Sequence, residues 1–136
     1  MLAYTADSMG EVPIGAVIVK DGKIIAKAYN TREKDQIATH HAEIIAIEKA
    51  CRKLKSWRLD NCDIYVTLEP CPMCAGAILN ARIKNLFYAV KDEKNGGESR
   101  FNMFNNTLNH TTNASQDTAF EQENQSLIQN FFKKKR

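Results

Sequence analysis

Four residues of this chain have the types and spacing to hold and use a metal ion: His41, Glu43, Cys71 and Cys74. A Cys-x-x-Cys pair at a chain turn can bring two thiolates to one zinc ion at about 2.3 Å, and a single distant histidine supplies a third ligand. Three protein ligands leave one position for water, whose pKa the metal lowers toward neutrality, and that open position separates a catalytic zinc from a structural one. A structural site needs a fourth ligand. The candidates are Cys51, Cys62, His40 and His110, and none forms a second ligand pair with the familiar spacing. Glu43 stands two residues after His41, too close to join the same tetrahedron easily but able to point at a metal-bound water, which is the place of a proton shuttle. That offset also selects His41 as the ligand over its neighbour His40, which has no carboxylate two residues on. Cys-x-x-Cys alone is weak evidence, because a thiol redox pair has the same spacing.

These residues need elements that bring positions 41–43 and 71–74 together. Ile14 to Val19 and Ile24 to Tyr29 are apolar, β-branched runs around Asp21-Gly22, the signal of a hairpin. From Ala42 to Leu54, Ile44, Ile45, Ile47, Ala50, Cys51 and Leu54 recur at helical spacings among charged residues, which predicts an amphipathic helix. Asp63 to Leu68 reads as a strand, Pro70 and Pro72 as a turn, Met73 to Ala81 as a helix and Asn85 to Val90 as a further strand. Both ligand segments therefore fall at helix starts, where exposed N–H groups and the helix dipole favour thiolate at Cys71 and Cys74 and neutral imidazole at His41. Lys91 to Arg100, with Asn95-Gly96-Gly97, reads as a loop. Asn105 to Asp117 is polar and turn-rich, so any strand there is marginal, and Ala119 to Phe132 is consistent with a closing helix. A helical connection between strands implies at least partly parallel pairing in a layered α/β domain. Cys51 and Cys62 are expected to be structural.

The chain has 136 residues, 43% hydrophobic and 26% charged, which fits one globular domain, residues 1–136. No stretch approaches the roughly 20 apolar residues of a membrane span, and the start, MLAYTADSMGEVP, lacks the pattern of a secretory signal. A cytoplasmic location follows as an expectation, and four cysteines there favour metal or catalytic use over disulfides. The formal net charge is +3, and Lys133, Lys134, Lys135 and Arg136 form a basic tail that suits a polyanion such as RNA or is simply a solvated end.

His-x-Glu followed by Pro-Cys-x-x-Cys is the signature of zinc nucleobase deaminases. With the flanking Gly10-Glu11-Val12-Pro13-Ile14-Gly15-Ala16-Val17, Ser56-Trp57-Arg58-Leu59, Tyr65-Val66-Thr67-Leu68-Glu69, Ala75-Gly76-Ala77-Ile78 and Ala81-Arg82-Ile83, the chain resembles the bacterial tRNA-specific adenosine deaminases of the cytidine deaminase superfamily. Asn109-His110 and Phe131-Phe132 echo the same family more faintly. The resemblance implies a three-layer α/β fold, a central mixed sheet of about five strands flanked by helices. It implies one zinc ion per chain on His41, Cys71 and Cys74, and hydrolysis of adenosine to inosine at the wobble position of a tRNA anticodon. The partner implied is the anticodon stem-loop of an arginine tRNA, and the assembly a homodimer. Zinc-activated water would attack C6 of the flipped-out adenine, with Glu43 protonating N1 and then the leaving ammonia. By the same carry-over Asn30 contacts the base or its ribose, the Ala42 N–H positions the base, and Asp92 and Lys94, with Lys91, touch the anticodon backbone. The same zinc chemistry would serve a deaminase of free guanine, cytosine or a nucleoside. A silent RNA-binding partner subunit is a further alternative, one that would not need Glu43.

Overall fold

The computed structural model describes residues 13–105 and 110–118, together with positions 122, 125, 126 and 129. Strand β1 (Gly15–Lys20) and strand β2 (Lys23–Tyr29) form the expected hairpin, closing on a Lys20–Lys23 pair. Asp21 and Gly22 between them both have positive φ, 52° and 75°, the two-residue turn whose twist matches that of the strands. Helix α1 (Arg32–Asp35) is a single turn that no periodicity announced, and helix α2 (Ala42–Leu54) has the expected bounds. Strand β3 (Cys62–Leu68), helix α3 (Pro72–Asn80) and strand β4 (Asn85–Val90) follow.

The sheet order is β2-β1-β3-β4-β5, with β5 spanning Asn113–Gln116. β1 is antiparallel to β2 and β3, whereas β4 is parallel to β3 and β5, so the sheet is mixed, as a helical crossover from β3 to β4 requires. The polar β5 forms because its ladder depends on backbone groups. Its entry is fixed by the Thr112 hydroxyl and His110 Nε2, which lie 2.7 and 2.8 Å from the Ile83 carbonyl, and by the Asn113 N–H on the Lys84 carbonyl at 3.0 Å. These partners lie 27 or more residues away in the chain, beyond the reach of local pattern.

Alternate residues Ala16, Ile18, Ile64, Val66, Leu86 and Tyr88 present a buried face on which α2 and α3 pack. α2 meets that face through Ala42, Ala46 and Ala50, one per turn, while Ile45, Ile47, Cys51 and Leu54 are half-buried at its rim. The isoleucine pattern therefore marks the flank, and the contact line is alanine because only a small residue lets the helix backbone approach the sheet closely. Glu43, grouped by pattern with the polar residues, is buried on that inner side. Among the described residues no helix is long and apolar enough to cross a membrane. Of the closing helix expected over Ala119–Phe132 only positions 122, 125, 126 and 129 are described, and these are helical; the basic tail and the segment before Pro13 lie outside the described residues.

Candidate active site

The two helices that pack on one face bring their N-termini together. His41 is the residue before α2 and Cys71 the residue before α3, both in extended conformation, and neither helix start carries a side-chain cap. Pro72 opens α3, where its fixed φ suits the first turn and its missing N–H costs nothing. Cys74 follows one turn in, buried.

His41 Nδ1 lies 3.8 Å from Cys71 Sγ and 3.5 Å from Cys74 Sγ, and all three ligand atoms lie within 4.8 Å of one another. Sulfur and nitrogen at the corners of a zinc tetrahedron, about 2.3 and 2.0 Å from the metal, stand roughly 3.5 Å apart. The donor set and its spacing thus fit a metal ion. His40 is not in this group: its Nδ1 lies 2.7 Å from Asp35 Oδ2, which the Thr31 hydroxyl also donates to at 2.7 Å. Cys51 and Cys62 stand apart from the cluster, and burial pushes both thiols up.

As protein groups alone, the three ligands share protons. Cys71 is held far down, to about 4, first by the hydrogen bond from Cys74 and also by that from His41, while Cys74, the donor and more deeply buried, is pushed up. His41 is raised by its bond to Cys71. That bond to a thiolate opposes the helix end, which favours neutral imidazole. A divalent cation bound there would replace those shared protons, the usual proton release of a thiolate–imidazole site.

Glu43, in the first turn of α2, is 3% exposed, and its Oε1 is buried with no hydrogen-bond partner. Burial pushes its carboxyl up to about 7, against the opposing pull of its own backbone N–H and of His41. A buried carboxyl with an open acceptor beside a metal-binding triad is placed to accept and return a proton near neutrality.

Asn30 is buried at the end of β2, with its N–H on the Ile14 carbonyl and its Oδ1 accepting from the Arg32 N–H at 3.4 Å. Ala42 is the first residue of α2, between the ligand His41 and Glu43. Asp92 and Lys94 lie together in the loop after β4, but the Asp92 carboxylate accepts the N–H groups of Lys94 and Asn95, so it shapes that turn. Lys94 is exposed. A residue that the spacing argument passed over is Glu69, buried directly before Pro70-Cys71. A lone carboxylate between an apolar strand and a ligand turn was its one sequence signal.

A five-stranded mixed sheet carrying a His/Cys/Cys group at two convergent helix starts defines a cytidine deaminase-like protein. The whole chain, residues 1–136, matches the MafB19-like deaminase family, to which it belongs. It is 47% identical over 135 residues to the tRNA-specific adenosine deaminase of Rickettsia bellii, covering 97% of this chain and 93% of that protein. A solved structure from work on A-to-I editing by tRNA:A34 deaminases at the wobble position superposes with a TM-score of 0.87 at 43% identity, covering 93% and 92% of the two chains. A guanine deaminase from Bacillus subtilis superposes less well, with a TM-score of 0.65 at 37% identity, over 95% and 87% of the two chains.

Proposed function

We propose that this chain catalyses the zinc-dependent hydrolytic deamination of adenosine to inosine at the wobble position of a tRNA anticodon. The observation that carries the chemistry is Glu43, buried and unpartnered at Oε1 beside His41, Cys71 and Cys74. A zinc ion held by those three side chains supplies a water of lowered pKa. Glu43 takes the proton of the attacking water, gives it to ring N1 of adenine, and then carries the second proton to the leaving amine, so that adenine and water become hypoxanthine and ammonia. A carboxyl raised to about 7 can make both transfers.

Adenosine in tRNA is favoured over free guanine by the closer fit to the tRNA:A34 deaminase and by the name of the Rickettsia relative. Asn30 and the Ala42 N–H hold the base, and Asp92 and Lys94, on one turn of the loop after β4, meet the anticodon backbone. We further assign an arginine tRNA as the partner, the cytoplasm as location and a homodimer as assembly. Large apolar side chains exposed at Met73 on α3 and at Phe101 are what a second copy would cover.

The test is direct sequencing of tRNA after incubation with the purified protein. Inosine at position 34 is expected with the wild-type chain, with activity falling by roughly a thousandfold in Glu43→Ala while zinc remains bound. Ammonia released from free guanine but not from tRNA would overturn the substrate, and inosine formation unchanged in Glu43→Ala would overturn the role of Glu43.

A further inference from the structure

Directly ahead of the ligand turn, Glu69 is 2% exposed and receives four hydrogen bonds from one distant loop. Oε1 accepts the Asp92 N–H at 3.0 Å and the Ser99 hydroxyl at 2.6 Å, while Oε2 accepts the Glu98 N–H at 3.0 Å and the Ser99 N–H at 2.7 Å. The Glu69 N–H in turn donates to the Val90 carbonyl at 2.8 Å, tying the residue to the end of β4. Four donors and no acceptor call for a carboxylate with both oxygens in use.

The loop is shaped around this one group. The Gly97 N–H donates to the Pro70 carbonyl at 2.8 Å, and Gly96 has its N–H on the Asp92 carbonyl at 2.7 Å. A Cβ on Gly96 would collide with the Glu69 carboxylate, and one on Gly97 with the Ala75 side chain in α3. Tyr88 and Glu98 lie near enough to Glu69 to feel its charge. Tyr88 is pushed up to about 12, chiefly by burial and then by the charges of Glu98 and Glu69. The segment carrying Asp92 and Lys94 is thereby held on the backbone that presents Cys71 and Cys74.

We propose that Glu69 is a positioning residue, a clamp that fixes the 92–99 loop against the metal-ligand turn so that Lys94 is preset for the anticodon backbone. This rests on the RNA-deaminase reading above. A loop preset in its bound form avoids the ordering cost that binding would otherwise meet, so the clamp acts on affinity more than on the chemical step.

Glu69→Gln is the sharpest probe because it keeps shape and size. An amide offers one acceptor oxygen where the loop needs two, and the least disruptive orientation keeps that oxygen on the Glu98 and Ser99 N–H groups. The NH2 then faces the Asp92 N–H, which loses its acceptor. For a half-buried donor left unpaired, a roughly tenfold rise in KM for an anticodon stem-loop is expected, with kcat changed by less than about threefold. Bound zinc should stay at one per chain. Hydrogen exchange should quicken at the Asp92 amide but not in α2. Ser99→Ala, which removes only the hydroxyl contact, should shift KM in the same direction by a smaller factor.

Unchanged KM, or a fall in kcat together with loss of zinc, would overturn the clamp, the latter by making Glu69 a support of the ligand turn instead. If the wild-type chain deaminates no RNA, the functional reading fails by itself. The exchange measurement still decides whether Glu69 holds the loop.

Discussion

The two ends of the helix pair α2 and α3 are built to opposite rules. At the N-terminal end the residues before the helices are His41 and Cys71, neither a capping type, and neither makes a side-chain cap. At the C-terminal end both helices close fully in the same motif. The Ser56 N–H meets the Cys51 carbonyl and the Lys55 N–H the Arg52 carbonyl; the Ile83 N–H meets the Ile78 carbonyl and the Arg82 N–H the Leu79 carbonyl. The closing residues, Lys55 and Arg82, hold left-handed φ of 53° and 66° without being glycine. Arg82 adds its guanidinium to the Leu79 and Asn80 carbonyls and lies over the Trp57 ring, as does Arg58. The contrast sets chemistry against stability: helix starts that would ordinarily carry Ser, Asp or Thr carry His41 and Cys71, members of a group able to hold a metal ion, and the closure is made at the far end.

Breaking the N-terminal end should have the largest effect. Cys74→Ser should strip the metal and abolish deamination, read by elemental analysis and inosine formation, because three ligands are the minimum for a catalytic zinc. Retention of stoichiometric zinc in that variant would remove Cys74 from the site.

Next in size is the stability held against function by Glu43. Its folded pKa of about 7 lies above the ordinary 4.5, so the stability it lends is full below about 4.5 and is lost as pH rises through 7. In protein stripped of metal, Glu43→Gln should therefore gain stability over wild type above pH 7, by up to about 3 kcal/mol, relative to its position near pH 4. Urea unfolding at the two pH values measures this, and an equal difference at both would refute the burial argument.

Smaller effects belong to the C-terminal end. Arg82→Ala should lower stability by about 1 kcal/mol through loss of the carbonyl contacts and the Trp57 stack, with zinc content and turnover unchanged. A fall in metal content would show that the two ends are not independent. Smallest, Lys55→Gly should raise the urea midpoint by the equivalent of about 0.5–1 kcal/mol, since glycine adopts the left-handed closing position without strain.

Local pattern in the sequence was enough for the Asp21-Gly22 hairpin, the bounds of α2, the β3-turn-α3 passage and the convergence of His41, Cys71 and Cys74, because each depends on spacing over a few positions or on a short motif. Tertiary structure decided the rest. It chose alanines over isoleucines as the contact line of α2, since only the sheet's proximity makes small side chains favourable there. It made a strand of the polar Asn113–Gln116, whose hydrogen bonds come from a neighbour rather than from its own composition. It also turned Glu69 from a residue beside a motif into the acceptor of four bonds from a loop 23 to 30 positions on. A buried carboxylate is tolerable only where its donors already stand, and that is a property of the assembled fold.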